Sequence, residues 1–166
     1  MSMRAIVSAA AVPTADESEA GDGDPPDAPA PGADSRPRSR SPAPIRILLV
    51  EDDYLVGMEV EAGLGEAGYE VIGIAATAIE AVTLAAVEHP RLVVMDIRLA
   101  GERDGVDAAL EIHRRLGIRC VFASAHVDAE VRARAKAARP LAWIGKPYRV
   151  SALLAAVEKA LADLEE

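Results

Sequence analysis

Residues 45–165 alternate five short apolar runs with five longer amphipathic segments, and this alternation constrains the fold more than any other feature. The runs cover residues 45–50, 70–75, 91–96, 119–124 and 141–145. They are rich in Val, Ile and Leu without polar alternation, as parallel strands buried on both faces are. Helical spacing predicts helices at about 54–67, 77–88, 105–116, 128–138 and 149–165, with Thr77 and Asp128 as N-caps of the second and fourth. The pattern therefore predicts an α/β domain built on a five-stranded, parallel, doubly wound sheet.

Polar side chains stand at the carboxyl ends of four of these predicted strands. In open α/β sheets ligands bind at this edge, so these side chains are expected to meet there. They are Glu51, Asp52 and Asp53 after the first strand, Asp96 at the end of the third, Ser124 at the end of the fourth and Lys146 after the fifth.

This combination of groups suits the transfer of a phosphoryl group. Clustered carboxylates repel one another, and a divalent cation relieves that repulsion; oxygen-only ligands favour Mg²⁺ over zinc. A carboxylate beside the metal can form an aspartyl phosphate, while an ammonium and a hydroxyl neutralise and orient the phosphoryl oxygens. Each residue alone is more readily a cap, a solvated lysine or a small packing residue. Their joint occurrence at four strand ends is what predicts a phosphoryl-transfer site.

At these positions the chain resembles the receiver domains of two-component response regulators. The resemblance covers roughly residues 45–165 and rests on the stretches ILLVEDD, LVVMDIRLAGERDG, VFASAH and WIGKPY. It implies a flavodoxin-like (βα)5 fold with strand order 2-1-3-4-5. It also implies a cytoplasmic response regulator that takes phosphate from a histidine kinase or a histidine phosphotransfer protein, and catalyses only its own phosphorylation and dephosphorylation.

The resemblance assigns a role to each acidic residue. Asp96 is implied to be the phosphoacceptor and a metal ligand. Asp52 is expected to bind Mg²⁺ directly and Glu51 through water, and the backbone carbonyl of Arg98 is expected to complete the metal site. Asp53 occupies a position that varies in the family and is not expected to be a ligand.

The resemblance also implies a set of residues that respond to the phosphoryl group. Ser124 is expected to hydrogen-bond to it and Lys146 to bridge to it, with a cis bond between Lys146 and Pro147. Trp143, three residues before the lysine, takes the place of the Tyr or Phe that is usual at the switch position. Two further residues, Arg98 and His126, are expected to flank the phosphate and to modulate its hydrolysis.

The stretch GLGEAG at residues 63–68 matches the glycine pattern of a dinucleotide-binding loop. Such a loop must follow the first strand and open the first helix, whereas the first strand here is followed by three acidic residues. We therefore predict that Gly63, Gly65 and Gly68 follow the first helix as cap and turn residues, and that no dinucleotide binds.

Three other functions remain open from the sequence. A Mg²⁺-dependent phosphatase with an aspartyl-phosphate intermediate is one, although the position two residues after its nucleophile, where such enzymes commonly carry an Asp, is Arg98. A pseudo-receiver that binds partners without phosphorylation is the second. A hydrolytic dyad of Ser124 and His126 is the weakest of the three, because neighbours two apart on a strand end more often point apart or play separate roles.

Composition separates an N-terminal segment from the rest of the chain. Residues 1–44 hold eight of the eleven prolines and are predicted to be a disordered arm, followed by one domain at 45–166. The net charge of −9 argues against a nucleic-acid partner, and no apolar run approaches a membrane span. Because the sequence ends after the fifth predicted helix, we expect a stand-alone receiver that signals through a protein partner or a homodimer.

Overall fold

The computed structural model describes residues 42–125 and 127–166, in which five strands alternate with five α-helices. The strands are β1 (Arg46–Val50), β2 (Glu70–Ala75), β3 (Leu92–Met95), β4 (Cys120–Ser124) and β5 (Ala142–Gly145). The helices are α1 (Tyr54–Glu66), α2 (Ala78–Glu88), α3 (Gly105–Leu116), α4 (Ala129–Ala135) and α5 (Val150–Asp163). Every element predicted from the apolar pattern is present within a few residues of its predicted bounds.

The strands form one parallel sheet in the order β2-β1-β3-β4-β5. This confirms the predicted fold class and strand order. The order reverses direction between β1 and β3, which are hydrogen-bonded neighbours with Val50 opposite Met95. The carboxyl ends of β1 and β3 therefore lie side by side, and this is where a ligand site is expected in such a sheet.

Both faces of the sheet are buried, which explains why the strands lack polar alternation. In β1, Ile47 and Leu49 pack on the side covered by α1 and α5, whereas Leu48 and Val50 pack on the side covered by α2, α3 and α4. Successive side chains of a strand point to opposite faces, so a strand between two helical layers must be apolar throughout.

Four of the five α-helices begin at a polar side-chain cap, and α5 begins without one. Thr77 caps α2 and Asp128 caps α4, as predicted, and each side chain accepts a hydrogen bond from the first turn of its helix. Two caps were not anticipated: Asp53 at the start of α1 and Asp104 at the start of α3.

The predicted position of two glycines in GLGEAG is wrong. Gly63 and Gly65 lie inside α1, and only Gly68, with a φ of 90°, lies in the turn that follows. The packing of α1 against α5 explains Gly63: a Cβ there would lie 2.3 Å from Cγ1 of Val150. Gly65 has open space around it. The stretch therefore forms the last turns of α1 and the turn after it, and it does not form a glycine-rich loop that could bind a nucleotide.

The fourth helix is shorter than predicted. It ends at Ala135 and continues as a 3₁₀ turn over Lys136–Ala138, after which Arg139 takes a left-handed conformation with a φ of 51°. Arg139 precedes Pro140, and the residue before a proline is disfavoured in the right-handed helical region.

The predicted N-terminal arm lies outside the described residues except for residues 42–44, which precede β1 without regular structure. Among the helices that the structure describes, none is both long enough and apolar enough to cross a bilayer.

Candidate functional site

Three carboxylates meet at the carboxyl ends of β1 and β3. Glu51 and Asp52 directly follow β1, Asp96 directly follows β3, and one oxygen from each lies within 4.8 Å of the other two. Glu51 and Asp96 are only 5% and 6% exposed, whereas Asp52 is exposed to solvent. The predicted acidic cluster is thus present, with one member facing the solvent from which an ion would enter.

Lys146 joins two of these carboxylates. Its Nζ donates to Oε2 of Glu51 at 2.5 Å and to Oδ2 of Asp96 at 2.8 Å. The backbone holds this arrangement in place, because the Lys146 N–H donates to the Ser124 carbonyl at 3.0 Å and the Asp96 N–H to the Val50 carbonyl at 2.9 Å. The bond between Lys146 and Pro147 is cis, as the resemblance implied.

Burial and charge act against each other in this cluster. Burial raises the pKa of Glu51 above its ordinary value, and the hydrogen bond from Lys146 does not offset this fully. Burial alone would lower the pKa of Lys146, but its hydrogen bonds to Asp96 and Glu51 leave that pKa raised. The ammonium therefore stays charged, while the ionised Glu51 carboxylate is short of compensating positive charge.

The chemistry of this donor set fits a hard divalent cation. Three carboxylates offer only oxygen, and within residues 42–125 and 127–166 Lys146 is the one lysine that contacts them, so its single charge cannot balance three negative charges. Mg²⁺ is commonly held by one or two carboxylates and keeps several waters, which suits a cluster with one solvent-exposed member.

The loop after β3 turns back on the backbone of Asp96. The Arg98 N–H donates to Oδ1 of Asp96 at 3.2 Å, and the Gly105 N–H donates to the Ile97 carbonyl at 2.7 Å. A Cβ on Gly105 would lie 1.9 Å from the Asp96 carbonyl oxygen, so only glycine permits this approach. The start of α3 is thereby packed directly against the residue that precedes the loop.

Ser124 and Trp143 occupy the neighbouring strands. Ser124 ends β4 and is 2% exposed. Trp143 lies opposite Phe122 in the β4–β5 ladder, and their rings stack with centroids 4.5 Å apart. The Arg132 guanidinium of α4 lies 4.8 Å above the indole. Trp143 is half-buried, and it contacts Phe122 in the core and Arg132 on the exposed surface of α4.

The structure thus brings Glu51, Asp52, Asp96 and Lys146 together as predicted. Arg98 lies on the loop beside Asp96 with its side chain exposed, and His126 lies outside the described residues. Asp53 is not a member of the carboxylate cluster. Its side chain caps α1, and its backbone N–H donates to Oε1 of Glu51 at 3.1 Å.

Sequence reasoning missed an ion pair beside this site. Arg134 of α4 contacts Asp104 and Asp107 at the start of α3. The aspartates carry a sequence signal, since Asp104 is followed three residues later by an acidic residue at the start of an apolar helix. The arginine carries none, because its contact with Asp104 spans 30 residues and depends on how the two helices pack.

The family model that describes the response regulator receiver domain matches residues 47–158. The transcriptional regulatory protein PdtaR of Mycobacterium tuberculosis is 37% identical over 121 residues, which are 73% of this chain and 58% of that protein. The phyllosphere-induced regulator PhyR of Methylorubrum extorquens is 31% identical over 116 residues, 69% of this chain and 43% of that protein. The chain thus spans about half the length of the curated relatives that it matches.

Solved structures agree with this match. A CheY-like response regulator receiver domain protein from Methanospirillum hungatei has a TM-score of 0.69 at 29% identity, covering 74% of this chain and 97% of that one. The signal receiver domain of a modulated diguanylate cyclase from Desulfovibrio desulfuricans has a TM-score of 0.66 at 31% identity, covering 73% of this chain and 98% of that one.

Proposed function

We propose, from the premise that this chain belongs to the response regulator receiver domain family, that Asp96 accepts a phosphoryl group from a phosphohistidine donor. An oxygen of the Asp96 carboxylate forms a bond to phosphorus as the bond between phosphorus and the donor imidazole nitrogen breaks. The imidazole keeps the electron pair of that bond and takes up a proton. The donor is a histidine kinase or a histidine phosphotransfer protein.

One observation carries this proposal. Asp96 is 6% exposed, its Oδ2 lies 2.8 Å from the Lys146 ammonium, and it shares the sheet edge with two further carboxylates. The fixed ammonium beside the buried carboxylate offsets the negative charge of the carboxylate and of the phosphoryl oxygens that approach it. Nothing about a structural cap or a solvated ion pair requires this arrangement.

Mg²⁺ would be held by Asp52, Asp96 and the backbone carbonyl of Arg98, with Glu51 acting through water. When bound, it supplies positive charge that offsets the repulsion between the carboxylates and the phosphoryl oxygens. Asp52 suits the entry of the ion because it is the exposed member of the trio.

The remaining residues of the site respond to the phosphoryl group. Lys146 is in position to exchange its contact with Asp96 for one with a phosphoryl oxygen, and the Ser124 hydroxyl provides a second donor. Trp143 lies on the strand that leads to Lys146, so a shift of β4 towards the site changes the space in which its ring packs. Arg98 and His126 act on the lifetime of the phosphorylated state by shielding or orienting the attacking water.

Labelling by a small-molecule phosphodonor tests the proposal. Wild-type protein, incubated with acetyl phosphate and Mg²⁺, should take up one phosphoryl group per chain and lose that ability when EDTA removes the metal. Asp96→Asn should take up none, since the amide has no nucleophilic oxygen. Asp53→Asn is the matched control, because it removes the same charge nearby while Asn still caps α1.

Two results would contradict the proposal. A wild-type chain that folds and yet takes up no phosphoryl group, from acetyl phosphate or from a phosphohistidine donor, is a pseudo-receiver that only binds partners. Continuous turnover of a generic phosphate monoester indicates a phosphatase instead.

A further inference from the structure

Arg134 of α4 makes a forked contact with Asp104. Its two terminal nitrogens donate to the two carboxylate oxygens, at 2.9 Å from Nη1 to Oδ2 and 3.1 Å from Nη2 to Oδ1. Nη2 also lies 3.2 Å from Oδ1 of Asp107. A fork of this kind fixes the carboxylate in orientation as well as in distance, which a single charged contact does not.

Asp104 is the residue through which α3 begins. Its Oδ1 accepts from the Asp107 N–H at 3.0 Å, and its own N–H donates to Oδ2 of Asp107 at 3.2 Å. These two reciprocal bonds form a capping box, and Arg134 contacts both of its aspartates.

The first residue of α3 is in direct contact with Asp96, the proposed phosphoacceptor. Gly105 follows Asp104 in the chain and approaches the Asp96 backbone too closely for any side chain. Its N–H donates to the Ile97 carbonyl, which lies between Asp96 and Arg98. A displacement of Asp104 is therefore passed to the segment that carries the proposed metal ligands, Asp96 and the Arg98 carbonyl.

The exposure of this ion pair favours a positional role over a stabilising one. The Arg134 and Asp104 side chains are 41% and 32% exposed, and ion pairs in contact with solvent contribute little to stability. This forked ion pair nonetheless links the short helix α4 to the start of α3.

We propose that Arg134 is a positioning residue for the metal and phosphoacceptor site. Through Asp104 and Gly105 it holds the backbone of Asp96 and Arg98 in place. The inference rests on the proposed function of Asp96. Because coupling between two sites is reciprocal, the occupancy of the metal and phosphoryl sites also acts on α4 through the same contacts. Arg132, on the same helix, contacts Trp143, so α4 touches both the end of the loop after β3 and the strand that precedes Lys146.

The test measures Mg²⁺ affinity of the full chain by calorimetry, without any phosphodonor. Arg134→Gln and Asp104→Asn should each weaken Mg²⁺ binding by about tenfold, the lower end of the loss seen when groups that orient metal ligands are removed. Asn is as good a cap as Asp, so Asp104→Asn breaks the forked ion pair and keeps the start of α3, while the contact of Arg134 with Asp107 stays in place. The double variant should bind no more weakly than either single one, because both changes break the same contact.

Two further variants make the test specific. Arg134→Lys should restore part of the affinity, because it returns the charge without the fork. Arg115→Gln is the matched control: it removes an arginine that pairs with Oε1 of Glu111 on the same helix α3, at 2.9 Å, and it leaves in place the contact of Glu111 Oε2 with Arg103 of the loop after β3. It should bind Mg²⁺ as the wild type does.

The outcomes separate this inference from the proposed function. If wild type and Arg134→Gln bind Mg²⁺ equally, the inference is wrong and the proposed function stands. If Arg115→Gln loses as much affinity, or if the double variant loses the product of the two single effects, the change reflects general charge and the inference is wrong. A folded wild type without Mg²⁺ affinity overturns both. Should Arg134→Gln not fold, Arg134→Lys and Asp104→Asn decide by the same criteria.

Discussion

Lys146 carries the charge balance of the site. It contacts Glu51 and Asp96 at once, and these two carboxylates are almost fully buried. Removing one member of a buried ion pair leaves the charge of the other uncompensated and destabilises the protein. The contacts of the two carboxylates and the ammonium are therefore expected to change together. A ligand that brings both a cation and an anion to this point can rearrange the three contacts without leaving a charge unpaired.

Trp143 gives an optical report of that rearrangement. It is the only tryptophan of the sequence, it is half-buried, and it is held between Phe122 and the Arg132 guanidinium. Beryllofluoride and Mg²⁺ together should change its emission wavelength and its quenching by iodide, because movement of Ser124 opens space for the ring to turn inward. The change should be absent without Mg²⁺ and in Asp96→Asn. Unchanged fluorescence in a sample that another probe shows to be activated would mean that the indole is a fixed packing residue.

Among the elements, α1 and α5 show how closely packing decides which residues a helix tolerates. They cover one face of the sheet together, and Gly63 marks the point where the backbone of α1 meets Val150 at the start of α5. A glycine inside a helix costs stability relative to alanine, but a methyl group at position 63 has no room beside Val150.

Two glycines on the same helix give a matched pair of substitutions. Gly65→Ala should raise the free energy of unfolding by about 0.5–1 kcal/mol, because alanine favours the helix and nothing lies within 4 Å of its Cβ. Gly63→Ala should lower it by about 1 kcal/mol, because overpacking against Val150 exceeds the gain in helix propensity. Urea denaturation of the two variants measures both. Equal stabilisation by both would show that α1 and α5 are not in close contact at Gly63.

The elements also show which parts of the molecule were predictable from the sequence. The strands and the residues at their carboxyl ends follow from a local pattern and a general rule about parallel sheets, and the structure has them at these positions; the roles of those residues stay predictions. The prediction for Gly63 was wrong because glycine is a poor helix former, and only the packing of α5 against α1 explains why this glycine lies inside the helix. The Arg134 contact with Asp104 was not predictable, since no local pattern relates two residues that lie 30 apart in the sequence.

At the scale of the whole molecule, the strand order creates the site. Lys146 is 95 residues from Glu51 and 50 from Asp96 in the chain, and these groups meet only because β1, β3, β4 and β5 are consecutive neighbours in the sheet. The unfolded chain holds no such cluster. A cation that binds the cluster therefore binds the native state alone, and its binding energy adds to the stability of the fold.

Thermal unfolding measures this effect. Mg²⁺ at 100 times its Kd should stabilise the native chain by about 2.7 kcal/mol and raise Tm by several degrees. The rise should disappear when EDTA removes the ion and in Asp52→Asn, and it should persist in Asp53→Asn, whose side chain caps α1. If NaCl of the same ionic strength raises Tm as much as Mg²⁺ does, the carboxylates do not form a specific metal site.

Direct identification of the phosphorylated residue tests the central claim. After labelling of the full chain with acetyl phosphate and Mg²⁺, borohydride reduces an aspartyl phosphate to homoserine, and trypsin then releases the peptide of residues 92–98. Asp96 is the only side-chain carboxylate in that peptide, whereas Glu51, Asp52 and Asp53 fall in the peptide of residues 47–91. Mass spectrometry should find the reduced residue in the peptide 92–98 alone. Its appearance in the peptide 47–91, or in neither peptide of a labelled chain, would contradict the assignment of Asp96 as the phosphoacceptor.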